Sequence, residues 1–247
     1  MRRFLVKLIL FFGSITALLW LFLARPFVIS SAPDGEPILS ADSSLLEAHT
    51  RKLSLDLSPR DWKHIENLNA AADYIATEFR RTNAKVALQS YTVDGTTFSN
   101  VVSEYGTQSK RGTIVVGAHY DACGEFPAAD DNASGVAGLL ELGRLLSQHS
   151  LPFKILLVGY TLEEPPFFGS TNMGSAVHAA SLVAADEKVR LMISLEMIGY
   201  FSDAPDSQRY PLPLLDLFYP SRGDFLAIVG PFSLSSATLE LKKAFLH

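Results

Sequence analysis

Apolar positions fall into two regimes along this 247-residue chain. From Leu8 to Ala24 they are nearly continuous, broken only by Gly13, Ser14 and Thr16. At 1.5 Å per residue such a run spans about 26 Å, close to the hydrocarbon thickness of a bilayer. Arg2, Arg3 and Lys7 precede it and Arg25-Pro26 ends it. The pattern predicts one transmembrane helix with its start in the cytoplasm and the rest of the chain on the periplasmic or extracellular side. Ala24-Arg25-Pro26 is a poor cleavage site, although Ile29–Ala32 could serve, so an anchor that stays in place is expected over a cleaved signal. Residues 30–44, rich in Ser, Pro, Gly and Asp, read as a linker after a 1–29 anchor.

Beyond residue 44 the spacing is that of a folded domain, expected over 45–247. Two helices are predicted first, over 44–53 and 62–82. The second carries its apolar stripe on Ile65, Leu68, Ala72, Ile75, Ala76 and Phe79. Alternating strands follow at 86–93 and 98–105, with Gly95 in the turn. Then near-continuous apolar strands at 113–118, 154–161, 189–195 and 224–229 alternate with helices at 133–148, 170–185 and 233–245. That alternation predicts an α/β fold: a mixed, mainly parallel sheet with helices on both faces.

Bulk properties narrow the function. Net charge is −5, and no basic cluster lies outside the N-terminus, so no nucleic-acid partner is expected. Cys123 is the only cysteine, which excludes an intrachain disulfide.

The chemistry gathers where the apolar strands end. The run Thr113–Val116 leads into Gly117-Ala-His-Tyr-Asp121, and a Gly- and Pro-containing loop then closes on Asp130-Asp131-Asn132 before a helix. His119 and Asp121, two apart, share one side of an extended backbone; one can ligate a metal while the other orients the ring. The acids before the helix serve equally as N-cap groups. Glu163-Glu164 follows the next strand and is stiffened by Pro165-Pro166. On a rigid turn, one carboxylate can ligate a metal and the other can take a proton from water; two solvated loop acids are the plainer alternative. Glu196 follows the apolar Leu191–Leu195, where a carboxylate is costly unless paired, metal-bound or solvent-facing. Histidine and carboxylates at adjacent strand ends suit a divalent cation.

These residues carry a resemblance. Gly117-Ala-His-Tyr-Asp121, Ala129-Asp-Asp-Asn-Ala-Ser-Gly135, Glu163-Glu164 and Leu195-Glu-Met-Ile-Gly-Tyr200 together resemble the zinc exopeptidase family with paired zinc ions. That family includes bacterial leucyl aminopeptidases, plasma glutamate carboxypeptidases and, as a single-zinc branch, glutaminyl cyclases. The resemblance implies that His119 binds one zinc with Asp121 supporting it, and that Asp131 bridges both ions. It implies Glu163 as general base and Glu164 as ligand of the second zinc. Glu196, where the family more often has Asp, would bind the first. The implied activity is removal of N-terminal residues from peptides. The alternatives are a one-zinc glutaminyl cyclase and a non-catalytic binding member of the fold.

One element of the resemblance is absent. The family's second ligating histidine lies in a late Ser-Asp-His segment, and none of the six histidines here, His49, His64, His119, His149, His178 and His247, stands in one. His149 and His178 read as surface residues. The expectation is a domain whose C-terminal part is missing, holding one zinc or fewer and inactive as it stands.

Overall fold

The computed structural model describes residues 2–24, 40–210, 212–217 and 219–245. Contacts divide the chain into two units, Ile38–Tyr200 and a second made of Met1–Pro37 with Phe201–His247.

In the first unit, Asp42 caps helix α2 (Ser43–Arg51) by accepting from the Ser44 and Leu45 amides. A π-turn, Lys52–Asp56, follows. Helix α3 (Ile65–Arg81) buries Leu68, Ala71, Ala72, Ile75, Ala76 and Phe79, the stripe that the periodicity predicts. Strands β1 (Lys85–Val93) and β2 (Thr96–Tyr105) form a hairpin. Its turn residues Asp94 and Gly95 both have positive φ, 48° and 80°, as a type I′ turn requires. Strands β3 (Thr113–His119), β4 (Ile155–Tyr160) and β5 (Val189–Ser194) alternate with α4 (Gly135–Leu146) and α5 (Gly174–Ala184).

The sheet order is β1-β2-β4-β3-β5. It is mixed rather than mainly parallel: β1–β2 and β2–β4 run antiparallel, β3–β4 and β3–β5 parallel. A right-handed crossover helix is needed only where parallel strands follow one another, and the N-terminal hairpin adds its two strands without one. Helices cover both faces. On one, α3 and α4 close a core that includes Val101, Val116, Ala118, Ile155 and Leu157. On the other, Val115, Leu156, Val158 and Tyr160 pack with Leu182 of α5. Inner strands β3 and β4 are buried almost throughout, whereas β5 forms an edge with Val189 and Met192 exposed.

Among the described residues, no fully buried apolar side chain lies beyond Leu162. In the second unit, 224–229, predicted as a strand, pairs with nothing among the described residues, where the one bridge nearby joins Ser202 and Gly223. Its apolar pattern has no neighbouring strand to complete a ladder, and Val229 stays 90% exposed. Helix α6 (Ser235–Ala244) matches the predicted one. At the N-terminus, Arg2–Ala24 forms helix α1. Its Ser14 and Thr16 hydroxyls donate to the Leu10 and Phe12 carbonyls. Among the described residues, however, no helix is long and apolar enough to cross a membrane, so the predicted span is not supported. The possible cleavage points and most of the predicted linker lie outside the described residues.

Candidate metal centre

Parallel neighbours end on the same side of a sheet. The registers His119↔Tyr160 and Gly117↔Ser194 therefore bring the ends of β4, β3 and β5 to one edge, and each strand delivers an acid or the imidazole there. Three non-glycine residues beside those acids hold left-handed backbone: Ala128 (φ 48°), Leu162 (φ 57°) and Met197 (φ 48°). Such conformations cost energy for residues with a Cβ and cluster at functional sites.

His119 forms the floor. Its side chain is only 3% exposed, and its Nε2 faces Asp131 Oδ1 at 3.1 Å, Glu196 Oε1 at 3.4 Å and Glu163 Oε2 at 3.8 Å. Asp131 and Glu196 are 48% and 47% exposed, so the site opens to solvent above a buried ring. Glu164 converges with His119 and Glu163 as a second group of potential ligands, rather than standing with Glu196.

Asp121 does more than face the ring. Its Oδ1 lies 3.4 Å from His119 Nδ1 without hydrogen-bond geometry. Its two oxygens accept the backbone amides of Glu163 and Glu164 at 3.1 and 3.0 Å. One carboxylate thus ties the end of β3 to the acidic pair after β4. Phe167 fixes the turn from behind, edge-on to Trp62 at 5.7 Å and against Phe98 at 6.4 Å.

Asn132 and Asp130, read in the sequence only as capping groups, hold the third strand end. Asn132 Nδ2 donates to the Leu195 carbonyl at 2.8 Å and to Glu196 Oε2 at 3.1 Å, leaving Glu196 Oε1 toward His119. Its Oδ1 accepts from Gly135 and Met197 amides. Asp130 Oδ1 accepts the Gly199 and Tyr200 amides at 2.9 and 3.1 Å. A Cβ on Gly135 would come within 2.3 Å of Asn132 Oδ1 and 2.7 Å of the Leu195 carbonyl, so only glycine lets helix α4 start this close. The predicted helix start at Ala133 is replaced by a π-turn, Ala129–Ser134, in which Asp131 and Asn132 leave helical geometry. Adjacency to Asp131 was the one signal in the sequence that could have marked Asn132.

The other described histidines stay apart from this group. His49 bonds Tyr74 and His64 bonds Asp61. His149 is exposed. His178, predicted at the surface, is buried on α5 with Nδ1 3.0 Å from the Tyr160 hydroxyl, because α5 turns that face onto the sheet. His247 lies outside the described residues.

Electrostatics point to a cation. Burial is the largest single influence on His119 and lowers its pKa, but the nearby carboxylates of Asp121, Asp131 and Glu196 together outweigh it and hold the ring up at about 12. Burial raises Glu163, with Asp121, Glu196 and Asp131 adding to the effect and His119 opposing it. Burial, then the Asp131 carboxylate, pushes Glu164 up to about 7. Its Oε1 is buried without a hydrogen-bond partner. Among the described residues His119 is the only basic group in ion-pair contact with Asp131, Glu163 or Glu196. Carboxylate oxygens and one imidazole around a buried floor fit a divalent zinc ion.

Residues 100–219 match the family model of peptidase family M28. The chain carries an M28 peptidase domain. The sequence is 46% identical over 214 residues to the uncharacterized protein YfbL of Escherichia coli (strain K12), covering 83% of this chain and 65% of that protein. The fold matches a leucine aminopeptidase precursor from Bacteroides thetaiotaomicron VPI-5482 (TM-score 0.57, 22% identity, 68% of this chain and 66% of that one). It matches a glutaminyl cyclase from Bacteroides thetaiotaomicron equally (TM-score 0.57, 22% identity, 68% and 65%). The chain thus spans just under two thirds of the length of each. The fold also matches a Zn-dependent exopeptidase from Parabacteroides distasonis ATCC 8503 (TM-score 0.57, 22% identity, 68% of this chain and 65% of that one), and the M28 domain here presents potential metal ligands at its strand ends.

Proposed function

We propose that this M28 domain is a zinc-dependent aminopeptidase that removes N-terminal residues from peptides. The observation that carries the reading is Glu163: its carboxylate stands 3.8 Å from the same imidazole nitrogen that groups with Asp131 and Glu196. His119, Asp131 and Glu196 would hold one zinc, and Glu164, with Asp131 between, would serve a second. Zinc, when bound, supplies Lewis acidity to the scissile carbonyl and to water. Glu163 Oε2 accepts the proton of the attacking water and returns it to the leaving amine. Asp121 keeps Glu163 and Glu164 in place through their amides, and the negative rim suits a protonated substrate amine.

Exchanging Glu163 for Gln keeps the shape and removes the base. Glu163→Gln should keep its zinc and lose about 10²–10⁴-fold in turnover on an amino-acid amide. Loss of the zinc, or wild-type turnover, would overturn the assignment.

One observation favours a second reading. Only one imidazole joins the acids among the described residues, and three ligands make one zinc site. A one-zinc glutaminyl cyclase would release ammonia from a glutaminyl peptide and leave amino-acid amides intact. Zinc counted per chain, beside both assays, separates the two.

We also infer attachment to a membrane with the M28 domain on the periplasmic or extracellular side. Support comes from helix α1, whose apolar side chains, such as Phe4, Ile9, Leu10 and Phe11, are exposed all round behind a basic start. Recovery of the whole protein in the soluble fraction of intact cells would end that reading.

A further inference from the structure

Among the described residues Arg60 is the largest fully buried side chain, at 0% exposure. Guanidinium groups are almost never buried without an anion, and the groups that touch this one are backbone carbonyls. Nε donates to Tyr120 O at 2.8 Å. Nη1 donates to Leu53 O at 3.1 Å and Pro127 O at 2.6 Å, and Nη2 to Ala128 O at 2.7 Å. The Arg60 carbonyl in turn accepts the Ala122 amide at 3.3 Å.

These contacts have a pattern. The loop between His119 and Asp131 is gripped at its start, through Tyr120 and Ala122, and at its end, through Pro127 and Ala128. Ala128 holds left-handed backbone just before the acids. We infer that Arg60 is a positioning residue that pre-sets the distance between His119 and Asp131, and with it the affinity of the site for zinc. The inference rests on the reading that these residues hold zinc. Arg60 lies outside the segment that matches the family model.

Charge adds to geometry. Burial lowers the pKa of Arg60 to about 10, while Asp121, Asp131 and Glu164 act through space to keep it charged. A fixed cation behind the acids reduces their mutual repulsion. The planar fork sets Arg apart from Lys here, because four carbonyls in different directions need several N–H groups in fixed directions.

The test uses the full chain in detergent and zinc alone. Zinc affinity is read by competition with a chromophoric chelator, and site geometry by the visible spectrum of the cobalt-substituted protein. Arg60→Lys keeps the charge and loses the fork. It should weaken zinc binding by roughly 10- to 100-fold, as loss of outer support does at other metal sites, and alter the cobalt spectrum while unfolding stays cooperative. Wild-type affinity and spectrum in Arg60→Lys would overturn the inference. If the variant does not fold, hydrogen exchange on the wild type decides. The clamp requires the Ala122 amide, and the Ala133 amide that donates to the Ala128 carbonyl at 3.2 Å, to be as protected without zinc as with it. Protection that appears only with zinc would show that the metal, not Arg60, orders the loop. A wild-type chain that takes up no zinc defeats the site reading instead; the clamp then stands on slow exchange of the Ala122 amide in zinc-free buffer, and exchange there as fast as in an unfolded chain would overturn it.

Discussion

The two ends of strands β3, β4 and β5 treat charge in opposite ways. At their N-terminal ends, Glu187 stands just before β5. It accepts hydrogen bonds from Thr113 at the start of β3, from Lys154 Nζ at 2.5 Å just before β4, and from Gln108 Nε2 at 3.2 Å. One anion meets one cation, and the spare lone pairs find neutral donors. At the C-terminal ends, Asp131, Glu163 and Glu196 face one imidazole nitrogen, and a Glu164 oxygen is buried without a partner. The same strands thus end in a satisfied network on one side and in an excess of anions on the other. A folded chain tolerates unpaired buried carboxylates where a ligand will meet them, and gives up stability there.

The comparison makes its largest claim about metal. If the surplus exists for zinc, zinc should stabilise the fold. At a free concentration 1,000 times Kd the gain is about 4 kcal/mol for one site. Thermal unfolding with and without zinc measures it, and His119→Ala should remove nearly all of the gain. Equal zinc-induced stabilisation in His119→Ala would place the metal elsewhere and dissolve the contrast.

The satisfied end should behave in the reverse way. Lys154 and Glu187 are only 13% and 12% exposed on their side chains. Lys154→Met strands the Glu187 carboxylate. We expect a loss of about 2–3 kcal/mol, somewhat under the figure for a wholly buried pair, with zinc affinity unchanged within about twofold, as expected for distant sites. Hydrogen bonds from Lys154, then Thr113, hold the Glu187 carboxyl below its usual 4.5. A depressed carboxyl stabilises fully above the unfolded value and ceases to as pH falls through the folded one. The gap between wild type and variant in urea unfolding should therefore be steady near neutrality and close below about pH 4.5. A gap that persists in acid would mean that Lys154 acts through packing, not charge.

Legibility in the sequence follows the same divide. Strands β3 and β4 announce themselves because both of their faces are buried, so their apolar runs are continuous. His119, Asp131, Glu163, Glu164 and Glu196 stand out because each follows such a run or opens a helix, and the parallel registers bring them together. The apolar run at 224–229 has similar composition but no partner strand, and composition does not reveal pairing. The equal count of parallel and antiparallel pairings was hidden because the hairpin could join the sheet from either side. Asn132 and Arg60 were missed for one reason: apart from the Glu196 carboxylate that Asn132 also meets, their partners are main-chain carbonyls and amides, which every residue carries and no motif records.

The smallest effect is the most diagnostic, because its sign depends on the metal. Glu164 has a buried oxygen with no donor, and burial, then Asp131, raises its carboxyl to about 7. A raised acid binds its proton more tightly in the folded state than in the unfolded one. The zinc-free wild type should therefore lose stability as pH rises from about 4.5 towards 7, the window between the unfolded and folded values. Gln at this position is neutral throughout and of nearly the same shape. Without zinc, Glu164→Gln should match or trail the wild type near pH 4.5 and exceed it above pH 7. The excess should be about 1 kcal/mol, the low end for an unsatisfied buried group, since this side chain is only half-buried. Saturating zinc should reverse the order, because the carboxylate then has a cation to face and the amide is the poorer ligand. Urea unfolding at several pH values, with and without zinc, reads both signs. A variant less stable than wild type in zinc-free buffer at neutral pH would show that Glu164 has a stabilising partner of its own, and the unbalanced end of the sheet would then be balanced after all.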